Sequence, residues 1–219
     1  MPRVSRAQAE EHRKVITAVS ARLFKERGIK AVSIADLMGA AGLTHGAFYG
    51  HFESKEALAG VAAKHAFEES TARWRRRIAD KQGSARRETL VNAYLDSRNV
   101  RKVGRCCPTV SLAADVAREA KGSPVRSAYA QGFGELVDIL ASTEETGDGA
   151  GDRQAALSDY ATMVGALMLA RATEGTPLSG ELLDAARERL NRCHSASTPK
   201  KAAGQALAPT RRKTAKVSE

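Results

Sequence analysis

The stretch SIADLMGAAGLTHGAFYGHFESK, Ser33 to Lys55, decides the fold. Ser33 is placed to N-cap a short helix, because its hydroxyl can accept an amide of the first turn. Ile34, Leu37 and Met38 follow at spacings of three and four, which puts them on one helical face. Gly42 stands where that helix must stop and turn, and glycine tolerates the left-handed backbone such a turn needs. Leu43 carries the apolar face over the turn, and Thr44 can cap a second helix. There Ala47, Phe48 and Phe52 fall inward, leaving Thr44, His45, Gly46, Tyr49 and His51 facing outward. Two short helices joined by a tight glycine turn form a helix-turn-helix, an arrangement whose second helix enters the major groove of DNA.

The outward set suits that task. Small residues at Gly46 and Ala47 let the backbone approach base edges closely. Tyr49 offers a hydroxyl, His51 a ring N–H, and Lys55, after the cap residue Ser54, a cation at a helix start, all suited to phosphate. A three-helix core piece with a polar surface is the plainer reading. A Tyr, a His and a Lys converging beside tiny residues serve packing poorly, which speaks against it.

The segment GLTHGAFYGHFESKEAL, Gly42 to Leu58, resembles the signature of the tetracycline-repressor (TetR-type) family of bacterial transcription regulators. The resemblance covers the first third of the chain. It implies that Ser33, Thr44, Tyr49, His51 and Lys55 contact phosphate, with His45, Gly46 and Ala47 at the base edges. Relatives with this wording often carry a second glycine where Ala47 stands; here a methyl group is added at the groove surface.

A chain of 219 residues is long enough for one small and one medium domain. No apolar run reaches the length of a membrane span, and Met1 to Lys14 is too polar for a signal peptide. Three cysteines without a framework spacing predict a reducing, cytoplasmic setting. The net charge of +10 is unevenly placed. Residues 1–83 carry 15 Lys/Arg against 9 Asp/Glu, residues 84–194 carry 14 against 15, and the remainder carries 6 against 1. A basic head on a neutral body fits a polyanion-binding module joined to a domain with another task.

The expected organisation is all-α. A helix-turn-helix DNA-binding domain spans 1–55, a connecting helix 56–83, a helical effector-binding and dimerisation domain 84–194, and a basic, disordered tail 195–219. In the head, a first helix over 7–28 buries Ile16, Val19, Leu23 and Phe24, while Arg3, Arg6, Arg13 and Lys14 can touch phosphate or simply stay solvated. Trp74, within Arg73 to Arg77, anchors the connecting helix on the body. The body reads as helices: one through Leu90, Ala93, Tyr94 and Leu95, a loop over 99–105, a helix from Pro108 to near Gly122, and a long one opened by Ser123 and Pro124. After a break over 147–152 come helices over 157–171 and 181–191. Tyr160, Ala161, Val164, Gly165, Leu167, Met168 and Ala172 cover more than one face of the first of these. Leu182, Leu183, Ala186 and Leu190 form a stripe on the second. The resemblance implies that these two helices build a four-helix dimer interface, which suits a palindromic operator; an intramolecular core is the other reading.

Two candidate triggers lie in the body. Cys106 and Cys107 precede the helix at Pro108 amid Arg101, Lys102 and Arg105, where positive neighbours and a helix start lower a thiol pKa and favour an oxidant or electrophile sensor. Cysteine is equally a small packing residue. The alternative trigger is a small molecule in a pocket lined by Phe67, Trp74, Tyr94, Tyr129, Phe133, Tyr160 and Met163, residues that also suit a core. No metal or cofactor is expected; Cys193 with His194 is too thin for zinc. The resulting expectation is a homodimeric, sequence-specific regulator, most consistent with a repressor, that leaves double-stranded palindromic DNA on ligand binding or thiol modification. A nucleoid-type DNA binder without sequence preference is the alternative, although it gains little from a neutral body. A cysteine-dependent enzyme is the weaker one, as no phosphate loop or paired-carboxylate set accompanies the cysteines.

Overall fold

A computed structural model describes residues 5–144 and 148–197, with side chains as far as Arg192. Every regular element in it is helical. Helix α1 (Arg6–Arg27) begins at Ser5, whose hydroxyl accepts the Gln8 amide at 3.2 Å. It ends at Gly28, where φ of 85° turns the chain sharply. Helix α2 (Ile34–Ala40) starts from Ser33, and Gly42 (φ 71°) makes the turn after it.

The second element of the helix-turn-helix differs from expectation. His45–Gly50 is a 3₁₀ turn of six residues rather than an α-helix. Gly46 and Gly50 cost helix propensity, and the segment is too short to repay nucleation, so the tighter form wins. Thr44 occupies the N-cap position but makes no side-chain cap bond. Helix α3 (Lys55–Ile78) follows directly, capped by Ser54, whose hydroxyl accepts the Ala57 amide at 3.0 Å.

The body contains α4 (Ser84–Tyr94), α5 (Arg98–Arg101), a 3₁₀ turn at Val103–Arg105, α6 (Pro108–Ala117), α7 (Pro124–Ala141), α8 (Gly149–Ala172) and α9 (Pro177–Ser197). The loop expected over 99–105 is thus mostly wound. Asn99 donates its amide to the carbonyls of Ala93 and Tyr94 at 2.8 and 2.9 Å, tying off the end of α4, and Val100 is buried beneath. Helix α6 stops at Ala117, well before Gly122, and α8 starts at Gly149, inside the expected break. Gly147 and the tail beyond Ser197 lie outside the described residues, and of Cys193 and His194 no side chain is described.

Two hydrophobic cores result. The head core gathers Ile16, Phe24, Leu37, Met38, Phe48 and Phe52 with Leu58, Ala62 and Ala66 of α3, and also takes in Leu112 and Val116 of α6 and Val125 of α7. The body core gathers Phe67, Trp74 and Ile78 of α3 with Tyr94, Leu95, Leu136, Leu140, Tyr160 and Leu167. Trp74 therefore anchors α3 in the body, while Arg75, Arg76 and Arg77 are exposed around it. A buried ionic knot closes the far end. Arg87 of α4 donates to the Leu190 carbonyl at 2.9 Å and to Asp159, and its Nε lies 3.0 Å from Glu144.

Helices α3 and α7 cross closely because glycine sits at the contact. A Cβ on Gly132 would stand 2.2 Å from Cγ of Phe67, and one on Gly60 would stand 2.7 Å from Cβ of Pro124. Gly132→Ala is expected to destabilise the protein by about 1–3 kcal/mol through overpacking. Urea unfolding checks this, and adding Phe67→Leu should recover part of the loss. An unchanged midpoint in Gly132→Ala would show that the crossing can relax.

Candidate nucleic-acid interface

Thr44, His45, Gly46, Tyr49 and Gly50 form a continuous exposed strip along the 3₁₀ turn. Tyr49 is 64% exposed, an unusual position for a tyrosine that has no fold to support there. Its ring is nevertheless held, edge-to-face on Phe48 at 5.2 Å and beside His45 at 6.4 Å. Nothing lies within 4 Å of where a Gly46 Cβ would stand, so the backbone itself is the surface at that point. Ala47 is half-buried against the head core, which leaves His45 and Gly46 as the open members of the expected base-edge set.

The other expected contacts divide. Ser33 is exposed, but its hydroxyl is engaged in a capping box. It donates to Asp36 Oδ2 at 2.6 Å and accepts the Asp36 amide at 3.1 Å, while the Ser33 amide donates to the same carboxylate at 2.9 Å. These bonds from Ser33 hold the Asp36 carboxyl below its ordinary pKa. Lys55 is half-buried and its amine donates to the Lys30 carbonyl at 3.4 Å, at the corner between α1 and α2. His51, expected to face outward, is half-buried. Burial, His12 and Arg13 together lower its pKa, so the ring is a neutral donor near pH 7. Of the basic residues in and before α1, Arg6 and Lys14 are exposed, Arg13 is turned inward toward His51, and Arg3 lies outside the described residues.

Residues 16–62 match the family described as bacterial regulatory proteins, tetR family. The match places the head of the chain with the DNA-binding region of that family. The chain is similar to the HTH-type transcriptional regulator AcrR of Shigella flexneri, 40% identical over 58 residues, which are 26% of this chain and 27% of AcrR. It is also similar to the HTH-type transcriptional repressor KstR2 of Rhodococcus jostii (strain RHA1), 45% identical over 40 residues, 18% of this chain and 20% of KstR2. The chain thus spans about a quarter of the length of the curated relatives it matches. The likeness of fold runs further. A TetR transcriptional regulator from Chloroflexus aurantiacus J-10-FL superposes with a TM-score of 0.69 at 25% identity, covering 85% of this chain and 95% of that one.

In the body the seven pocket candidates do come together, as packed core. Trp74, Tyr94, Phe133 and Tyr160 stack ring on ring at 5.3–6.2 Å, Phe67 meets Tyr129 at 5.4 Å, and Met163 is fully buried. The rings fill the space that an open pocket would need. The lowered thiol pKa expected from the basic neighbours is not found at Cys106. Cys106 and Cys107 are 5% and 6% exposed, and burial pushes the Cys106 thiol up rather than down. Arg101 points to solvent and pairs with Glu174 at 3.0 Å, too engaged elsewhere to activate a thiol.

Tyr160, expected as a pocket-lining ring, also carries a polar role that the sequence did not point to. Its hydroxyl lies 3.1 Å from the Cys107 sulfur and 3.2 Å from Thr109 Oγ1, and Tyr129 donates to the Thr109 carbonyl at 2.8 Å. Burial and the adjoining thiol hold the Tyr160 pKa well above its ordinary value, so it acts here as a neutral hydroxyl. Its place in an apolar helical stripe and among the aromatic pocket candidates was visible in the sequence, and neither signals a polar knot.

Three outcomes test this geometry. Ser33→Ala should cost about 1 kcal/mol of stability, as loss of a cap typically does. Because the folded Asp36 pKa is depressed, its contribution is present above the ordinary carboxylate range and lost as pH falls through the folded value. The stability gap between wild type and Asp36→Asn should therefore be open at neutral pH and close below about pH 4. Cys106 and Cys107 should react with a chromogenic disulfide at least about tenfold more slowly in native protein than in denaturant; equal rates would show that the core opens freely.

Proposed function

We propose that the chain is a homodimeric, sequence-specific DNA-binding regulator of repressor type. The single observation that supports this best is the exposed strip at the 3₁₀ turn, where bare backbone at Gly46 lies beside an outstanding Tyr49. That surface can seat in a major groove with His45 and Gly46 at base edges and the Ala47 methyl at their margin. Thr44, Tyr49, His51 and Lys55 then face phosphate, and Ser33 contributes through the helix start it caps.

Dimerisation supplies the second half-site contact. Met168, Leu169 and Leu178 are about half exposed, at 51%, 54% and 49%, on the adjoining faces of α8 and α9. Ala161 and Ala172 extend that exposed face with small side chains. Covering these side chains with a second copy removes apolar surface from water and sets two 3₁₀ turns on one face of the DNA.

Release requires a change in the body that reaches the head. Helix α6 carries Cys107 at its start, and near its end Asp115 accepts the Ile29 amide at 2.8 Å, just past the end of α1. A small ligand entering among the aromatic rings, or an electrophile reaching Cys107, displaces Tyr160 from Cys107 and Thr109 and shifts α6, and α6 moves the head. As for chemistry at Cys107 itself, the Tyr160 hydroxyl beside it is held neutral by burial, its pKa well above the ordinary value, which gives an enzyme reading no support.

Footprinting on the DNA upstream of the protein's own gene, followed by genome-wide site selection, tests the proposal. The expected result is one or more discrete palindromic sites with half-sites about 34–36 Å apart. Uniform coating with no discrete site in either experiment would favour a nucleoid-type binder. Met168→Glu with Leu169→Glu should yield a monomer by sedimentation that no longer protects a full site; a dimer that persists would move the interface elsewhere.

A further inference from the structure

We infer that Arg13 is a positioning residue for DNA reading: it pins the 3₁₀ turn to α1 and does not itself grip phosphate. The inference rests on the DNA-binding proposal above and adds a residue that the exposed strip does not contain.

The 3₁₀ turn cannot hold its own shape. It has six residues, two of them glycine, and among its side chains only Phe48 is buried. Its last carbonyls form the negative end of a short helix, where a cation is favoured. Arg13 meets that need from 38 residues away: its guanidinium donates to the carbonyl of His51, the residue that closes the turn. The same group lies over the ring of Phe52, with Cζ 4.3 Å from the centroid. Phe52 is 4% exposed and packs on Phe48 at 6.0 Å, so the guanidinium is braced by an aromatic pair buried in the head core. His12, one residue earlier, sets its ring edge-on to that of His51 at 5.9 Å. One turn of α1 therefore clamps the end of the 3₁₀ turn by a charged hydrogen bond, a cation–π contact and a ring contact.

These contacts fix the plane of the guanidinium. A residue held this way sets the angle at which His45, Gly46 and Tyr49 are offered to DNA, and a planar donor fork is required for both jobs at once. Lysine keeps the charge but not the fork; glutamine keeps a planar donor but not the charge.

The test compares wild type, Arg13→Lys and Arg13→Gln by anisotropy on the selected operator and on scrambled DNA over a salt series, with amide exchange of residues 45–51. If Arg13 positions the turn, both variants lose about tenfold in operator affinity while scrambled-DNA affinity and the salt slope stay unchanged. Amides of the turn then exchange faster in both, with those of α1 unaltered. The inference is overturned if Arg13→Lys binds like wild type while Arg13→Gln weakens both DNAs alike and its slope falls by about one, the signature of a phosphate contact. Should wild type select no discrete site, the DNA-binding proposal fails and exchange alone decides: unaltered protection of residues 45–51 in Arg13→Lys would still overturn the pinning.

Discussion

Helix α3 is shared by two hydrophobic cores, and the rest of the architecture depends on that sharing. Its first half, Leu58 to Ala66, is packed into the head, and its second half, Phe67 to Ile78, into the body. An unbroken helix of 24 residues cannot tilt at one end and stay still at the other. Any displacement of the body rings that contact Phe67 or Trp74 is therefore felt at Lys55, where the head begins. The glycine contacts at Gly60 and Gly132 bring α7 against the same helix at close range, so the lever is stiff where it passes from one core to the other.

A second tie runs beside the lever. Asp115 reaches across from α6 to the Ile29 amide, and the adjacent Gly28 has room for nothing larger, a Cβ there meeting the carboxylate at 2.9 Å. Upstream, Gly104 is pressed on Glu26 in the same way, so the segment ahead of Cys106 also rests on α1. A hydrogen bond to a charged group contributes about 1.5–3 kcal/mol. That is the scale on which a ligand must discriminate between two head positions to shift their populations appreciably. Lys25, on the same helix α1, is buried, and desolvation is the chief cause that lowers its pKa.

The head was legible in the sequence because its determinants are local. A serine with an aspartate three residues on, a glycine at the turn and apolar residues at helical spacing all act within one or two turns of chain. The mixed outcome came at His45–Gly50, where the same two glycines that bare the backbone also deny it an α-helix. The body was legible as helices and much less so as a site. Cysteines beside arginines and a helix start look activated in a linear chain; folding buries the thiols and turns Arg101 out to Glu174. Aromatic residues at core spacing cannot announce whether they enclose a space or fill it. Pairings such as Arg87 with Asp159, Asp115 with Ile29 and Arg13 with His51 join residues 38 to 86 positions apart, and no local pattern encodes them.

The central claim is that two copies of this chain present their 3₁₀ turns to one face of DNA. Pulsed dipolar spectroscopy measures this most directly, with nitroxides at the exposed Glu53 position of a Glu53→Cys variant whose native cysteines are replaced. In the operator-bound dimer the account predicts one narrow distance distribution near one helical turn, about 34–36 Å, broadening or shifting when the effector is added. Absence of any dipolar coupling between copies, or a separation that matches no helical repeat, would contradict it.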